Sequence, residues 1–288
     1  LLCRGLTHRE NRVRRAAAGA LVEGPGPECL VALAAALGDE DPEVRLLTVT
    51  ALGRLADPAA AGDLSRMLAD PHAPVRRAAG RAVAGLGESA LPWLQDAWRR
   101  GGAMVRALVL EGMAGIASPA VHSMLLEAAR DPAVEVRRAA LLALGDRAGE
   151  RDVPQLAAAL RDPAAEVRLA AARALGKRGE PAAVWLSLAL ADPDPDVCRE
   201  AALALARFGS RGDLVPLRHR LRSLSPEEAE LHGTLREALR AIEARCPPET
   251  AHLPLPAEGG ATELHRLPVV GEADDPDRAL LPVVSPDE

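Results

Sequence analysis

Asp131-Pro132-Ala133-Val134-Glu135-Val136-Arg137-Arg138-Ala139-Ala140-Leu141-Leu142-Ala143-Leu144-Gly145 returns 31 residues later as Asp162-Pro163-Ala164-Ala165-Glu166-Val167-Arg168-Leu169-Ala170-Ala171-Ala172-Arg173-Ala174-Leu175-Gly176. Outward from this pair, Val followed by Arg stands at 13–14, 44–45, 75–76, 105–106, 136–137 and 167–168, with Val197-Cys198-Arg199 as a seventh variant. The steps are 31, 31, 30, 31, 31 and 30 residues. An Asp stands five residues before the Val in five copies (Asp39, Asp70, Asp131, Asp162 and Asp192), and Pro follows it at 71, 132, 163 and 193. Self-similarity at such a period marks stacked supersecondary units.

Each unit reads as two helices. Ahead of the Asp, Leu pairs four residues apart (Leu33/Leu37, Leu64/Leu68, Leu156/Leu160, Leu186/Leu190) form one apolar face, with Leu94/Trp98 in the fourth unit. The Asp suits the N-cap of the next helix and the Pro its first turn. The Gly of Ala-Leu-Gly at 51–53, 143–145 and 174–176 reads as that helix's C-terminal signal. Strand signals are absent from the pattern. One such pair cannot bury its apolar face alone, whereas stacked neighbours can. The expectation is an all-α solenoid of about eight helix pairs, period about 31, over residues 1–246.

The sequence starts inside a unit, with Leu2 and Leu6 aligned on Leu33 and Leu37. The last unit differs. Ser225-Pro226-Glu227-Glu228 reads as a capping box, followed by a helix with Leu231, Leu235, Leu239 and Ile242 on one face. Residues 247–288 read as a disordered, acidic, Pro-rich tail. Its two Leu-Pro-Val-Val copies, at 267–270 and 281–284, leave two readings open: a free linker, or a segment that folds back on the solenoid's groove.

Composition narrows the function. Of 288 residues, 48% are hydrophobic but only 1% aromatic, so the core is built from Ala, Leu and Val. Net charge is −6. From Glu249 onward nine acids face two bases, or −7, which leaves +1 for residues 1–248. A body this neutral argues against nucleic acid as the partner. The absence of an apolar run of about 18 residues argues against a membrane span. Cys3, Cys29, Cys198 and Cys246 form no CxxC and read as reduced thiols of a cytoplasmic protein. A single Lys, Lys177, among 35 basic residues, with abundant Ala, points to a GC-rich bacterial genome.

The pattern Asp-Pro-x-x-x-Val-Arg-x-x-Ala…Ala-Leu-Gly resembles HEAT repeats of the short bacterial type, the PBS-lyase HEAT-like repeats. The resemblance implies a ladder of hydrogen bonds between units, made by Asp39, Asp70, Asp131, Asp162 and Asp192 with Arg14, Arg45, Arg76, Arg106, Arg137 and Arg168. Two departures stand out: Arg100, beside Gly101-Gly102, replaces one ladder Asp, and Cys198 replaces one ladder Arg. A softer joint is expected around residues 99–104. Deoxyhypusine hydroxylase, a HEAT-repeat enzyme, holds iron with His-Glu dipeptides, and this sequence has none. DNA glycosylases built on similar units use a basic, aromatic-bearing face, and aromatics are nearly absent here.

A second Arg follows the ladder Arg in alternate units: Arg15, Arg77, Arg138 and Arg199, with Leu46, Ala107 and Leu169 between them. These arginines are candidates for an acidic partner. Trp93 and Trp185 occupy equivalent places where other units carry Ala32, Asp63, Met124 or Gln155, and are candidate contact residues. Trp98 reads as core. No metal, cofactor or catalytic set is expected. The reading is a protein-binding scaffold using the solenoid's concave face; the alternative is a bilin-lyase-like enzyme or a regulatory subunit of an enzyme complex.

Overall fold

The computed structural model describes residues 1–147, 149–225 and 228–247. Among them are sixteen α-helices and no strand. They form eight pairs: α1 (Leu2–Gly5) with α2 (Asn11–Glu23), α3 (Leu30–Ala36) with α4 (Pro42–Leu55), α5 (Ala61–Arg66) with α6 (Ala73–Gly85), and α7 (Leu91–Arg100) with α8 (Ala103–Met113). The series continues with α9 (Pro119–Ala128) and α10 (Val134–Asp146), α11 (Val153–Ala158) and α12 (Ala165–Gly176), α13 (Ala183–Ala189) and α14 (Pro195–Phe208), and α15 (Leu214–Arg222) and α16 (Ala229–Arg245). This is the all-helical solenoid expected. The expectations for the tail fall outside the described residues.

The second helices, α2 through α16, pack on one another in succession along much of their length, whereas the first helices touch only briefly. Closer stacking on one side bends the array, so the second helices line its inner face. Their buried side chains are the Val before the ladder Arg (Val44, Val75, Val136, Val167, Val197) and the Ala and Leu one and two turns on.

The ladder Asp does not cap the helix that follows. Asp39 Oδ1 accepts the N–H of Asp41 at 2.9 Å, and Asp70, Asp131, Asp162 and Asp192 accept from the residue two positions on in the same way. The Asp thus closes a turn of its own ahead of the helix. Where a carboxylate cap exists it lies two residues later: Asp41 accepts from Glu43 N–H, and Asp194 from Asp196 and Val197. In the last unit only half of the expected capping box is present. Glu228 accepts from Ser225 N–H and Oγ, and α16 starts at Ala229.

The Gly of Ala-Leu-Gly is also not a helix stop. Gly53 and Gly145 lie inside α4 and α10, and Gly176 is the last residue of α12. A Cβ on Gly145 would stand 2.9 Å from the Cα and Cβ of Ala174, and one on Gly53 would stand 2.8 Å from Ala82 Cβ. Glycine there lets adjacent second helices approach. The one non-glycine residue with positive φ among those described is Ala56 (φ 51°), which ends α4 by donating to Leu52 O.

The first helices are joined by polar cross-links instead. Ser187 Oγ donates to Asp213 Oδ1 (2.6 Å), and His122 Nε2 meets Asp152 Oδ1 (3.1 Å). Between the first and second units Cys3 and Cys29 form a disulfide, with Cα atoms 5.6 Å apart, so these two are not the reduced thiols expected. Position 29 belongs to a buried column otherwise filled by Ala60, Ala90, Val121 and Ala182, with Asp152 and Asp213 as its polar members. The Cys pair was invisible in sequence because 26 residues separate its members.

Two measurements check this packing. Gly145→Ala should lower stability by about 1–3 kcal/mol, since backbone must move to admit the methyl. Gly19→Ala, which meets nothing within 4 Å inside α2, should raise it by about 0.5–1 kcal/mol. Urea unfolding of both variants tests the contrast. Alkylation of the native protein without reductant should modify the half-exposed Cys246 and leave Cys3 and Cys29 intact until a dithiol is added. Mass spectrometry of the peptides reads the outcome.

Candidate functional site

The side chain that organises each unit is the Arg after the Val. In Arg137, Nε and Nη2 donate to the two oxygens of Asp162 at 2.7 and 2.9 Å, a bidentate pair across the unit boundary. Nη1 turns back to its own unit's turn, donating to Asp131 O (2.9 Å) and Pro132 O (3.0 Å). Arg14–Asp39, Arg45–Asp70 and Arg168–Asp192 repeat the bidentate geometry, and Arg106 makes a single bond to Asp131 at 3.0 Å. The ladder implied by the resemblance is present in five rungs.

The sixth is incomplete. Arg76 donates to Asp70 O and Pro71 O, but among the described residues it has no carboxylate partner. Arg100, which replaces the missing Asp, pairs within its own helix with Asp96 (3.1 Å). A Cβ on Gly101 would lie 2.6 Å from Ala97 O. At this junction α6 and α8 share less contact than any other successive second helices, which places the thinnest packing at the expected joint. At the second departure, Cys198 Sγ takes the Arg's inward role and donates to Leu190 O and Asp192 O at 3.2 and 3.1 Å. Burial pushes its thiol pKa up, against the nearby Arg220.

Electrostatics follow from the pairing. Burial pushes the Asp39, Asp70 and Asp162 carboxyls up, but the guanidinium and the turn N–H together outweigh it, and all three sit below the usual range. Asp41 falls to about 2, because Arg15 bonds to it despite burial, with help from Glu43 N–H and Asn11.

That contact corrects one expectation. Arg15 is not a free groove residue but the partner of buried Asp41, the N-cap of α4. Arg199 is paired as well, with Asp196 at 2.7 Å and Glu230 at 3.8 Å. Arg77 and Arg138 are exposed on the inner face and enter no ion pair among the described residues. Arg138 borders a cavity of about 350 Å³ with Leu142, Glu166, Leu169 and Arg173. Arg77 borders one of about 220 Å³ with Arg81, Leu108 and Glu111.

The tryptophans lie on the opposite, first-helix side. Trp93 is 52% exposed, and its indole covers Gly62 of the preceding first helix. Trp185 is half-buried and lines a groove between α11 and α13. Trp98 is half-buried rather than core, with the Arg106 guanidinium 5.8 Å above its ring.

The sequence pattern described as HEAT repeats matches residues 1–84, 30–106, 65–144, 91–165 and 153–240. The chain belongs to the HEAT-repeat family. No curated protein sequence matches it. Among solved structures, one of importin beta is similar over 85% of this chain and 44% of its own, with a TM-score of 0.63 at 15% identity. A complex described as Kap95 with Nup1 covers 84% and 41%, with a TM-score of 0.62 at 13% identity. The E. coli protein YibA covers 83% and 91%, with a TM-score of 0.51 at 19% identity. These likenesses establish the HEAT-repeat fold.

A second row of arginines escaped the sequence reading. At the far end of the second helices, Arg54 donates to Val22 O, and Arg147 to Ala114 O and Ile116 O. Arg178 donates to Leu144 O and Gly145 O, and Arg245 to Ala206, Arg207 and Gly209 O. Each guanidinium meets orphan carbonyls where the preceding unit's second helix ends, and so favours the helix dipole. The signal was a basic residue one or two places after the HEAT-repeat Gly at Arg54, Arg147 and Arg178. Among the described residues no helix is long and apolar enough to cross a membrane, and no cluster of three metal-ligating side chains occurs.

Arg137→Ala should cost about 1–3 kcal/mol, because it leaves Asp162 with one turn N–H as its remaining bond. Arg76→Ala should cost under about 1 kcal/mol, having no carboxylate to strand. Equal costs by chemical denaturation would contradict the ladder. The lowered Asp pKa values mean that the unfolded chain binds protons first. The stabilisation from Asp39, Asp70 and Asp162 is present above the ordinary carboxylate pKa of about 4 and is lost as pH falls through their lowered values, and for the Arg15–Asp41 pair the loss runs down to about 2. Urea midpoints should hold steady from neutral pH to about 5 and then drop across that window.

Proposed function

We propose that this chain is a non-catalytic protein-interaction scaffold whose inner, second-helix face receives an acidic segment of a protein partner. The observation that carries the reading is the pair Arg77 and Arg138. The arginines of the five complete rungs and Arg54, Arg147, Arg178 and Arg245 are consumed by the fold, whereas these two are exposed, without a carboxylate within ion-pair distance among the described residues, and two units apart on one face. Ala107 in the unit between them, and Leu46 and Leu169 in the units on either side, put apolar residues at the same register. Such spacing favours an extended chain with separated carboxylates and gives specificity through charge register. The near-neutral body supports a protein rather than nucleic acid as partner.

A second reading, a lyase-like enzyme or enzyme subunit, draws on the His122–Asp152 pair. It borders a cleft of about 520 Å³ with Ser118 and Arg147.

Affinity capture from the native host tests the first reading. The wild-type chain should retain a protein partner at low salt, and Arg77→Glu with Arg138→Glu should weaken that retention by more than about tenfold with circular dichroism unchanged. Retention by the double variant, or a turnover lost on His122→Ala, would overturn it.

A further inference from the structure

We propose that the groove between α11 and α13, on the outer side of the stack, is a second docking site, for a short aliphatic segment of another protein that carries a carboxylate at its end. The proposal does not rest on the inner-face reading, since the two surfaces share no residue.

The groove is a cavity of about 560 Å³. That volume lies within the range of sites that take small apolar ligands. Pro154 and Ala158 form one wall, Trp185 and Leu188 the other, and Leu160 closes one end. Leu188, on that second wall, is 61% exposed, so α13 presents a large apolar side chain to water at the groove. An exposed leucine beside an indole offers a partner apolar surface to bury, and Trp is favoured where partners bind.

The equivalent junction between α5 and α7 shows what a self-filled groove looks like. There Trp93 lies across Gly62, with ring carbons 3.2 Å from where a Cβ would stand. At α11 the corresponding residue is Pro154, whose ring occupies that space, and the groove beside Trp185 stays open. The two junctions thus differ at this position, with glycine where the indole lies across it and proline where the groove is open.

Charge selects the occupant. Asp162 and Asp192 on the rim are neutralised by Arg137 and Arg168. Arg161, exposed at the same rim, has no carboxylate partner among the described residues. The groove therefore offers apolar walls and one uncompensated guanidinium. The matching chemistry is two or three aliphatic side chains followed by a carboxylate, which arginine grips in bidentate fashion.

The test uses the full chain and two probes. One is 1-anilinonaphthalene-8-sulfonate, an apolar body with one anion. The other is the peptide acetyl-Leu-Val-Leu-Glu-amide, compared with its Gln analogue. The dye should bind one site per chain and quench Trp185, and the Glu peptide should displace it about fivefold better than the Gln peptide. Leu188→Asp should abolish dye binding, and Arg161→Gln should erase the difference between the peptides, with helix content and melting temperature unchanged. Because both residues are exposed, neither substitution threatens folding. Dye binding that survives Leu188→Asp, or equal displacement by the two peptides, would overturn the proposal. So would a wild-type chain that self-associates by light scattering and becomes monomeric on Leu188→Asp, since a second copy would then cover the groove.

Discussion

The bidentate pair between an Arg of one unit and an Asp of the next holds the rest in place. It crosses the boundary between neighbours, and the same guanidinium also satisfies two carbonyls in its own unit's turn. Both partners are largely withdrawn from water, so neither tolerates being left alone. The Asp in turn closes the backbone ahead of the next helix. One four-way connection therefore fixes the turn, the start of the second helix and the relation between units. Where it is incomplete, at Arg76, the second helices also pack least. The geometry of the inner and outer faces depends on this register.

The ladder's members stood out in the sequence as a recurring Asp and Arg, and their pairing came from the resemblance to HEAT repeats; the structure joins them at a near-constant separation, 25 positions in Arg14–Asp39, Arg45–Asp70 and Arg137–Asp162 and 24 in Arg168–Asp192. What misled was chemistry that serves two purposes. An Asp before a helix looks like a cap whether it binds the first-turn N–H groups, as Asp41 does, or closes a turn two residues earlier, as Asp39 does. A Gly near a helix end looks like a stop whether it needs positive φ or merely a small side chain, and Gly53 and Gly145 need the second. Arg15 shows the third kind of miss. Its partner, Asp41, lies 26 residues away in the next unit, and alternation along the sequence carries no information about that contact.

The two faces follow different rules. On the inner face, helices in close contact leave small clefts edged by charge, suited to a partner held at several points. On the outer face, short first helices diverge, and what fills the space between them varies from unit to unit. An indole over Gly62, a disulfide at Cys3–Cys29, a hydroxyl on Asp213 and an open groove beside Trp185 are four solutions at comparable places. Variation there costs the ladder nothing, so recognition chemistry can change on that side without touching what holds the stack together.

The rung has a further consequence for how such a chain can change length. Because in five rungs the donor is matched to an acceptor one unit on, and the Gly–Ala approach repeats from Gly53–Ala82 to Gly145–Ala174, most adjoining units present one another with the same surface. A whole unit copied into the array meets compatible neighbours on both sides, whereas a fragment of a unit strands a guanidinium or a carboxylate in a dry boundary. Growth and shrinkage by gene duplication are thereby confined to whole multiples of the period. The span of the inner and outer faces becomes a quantity inherited in discrete steps.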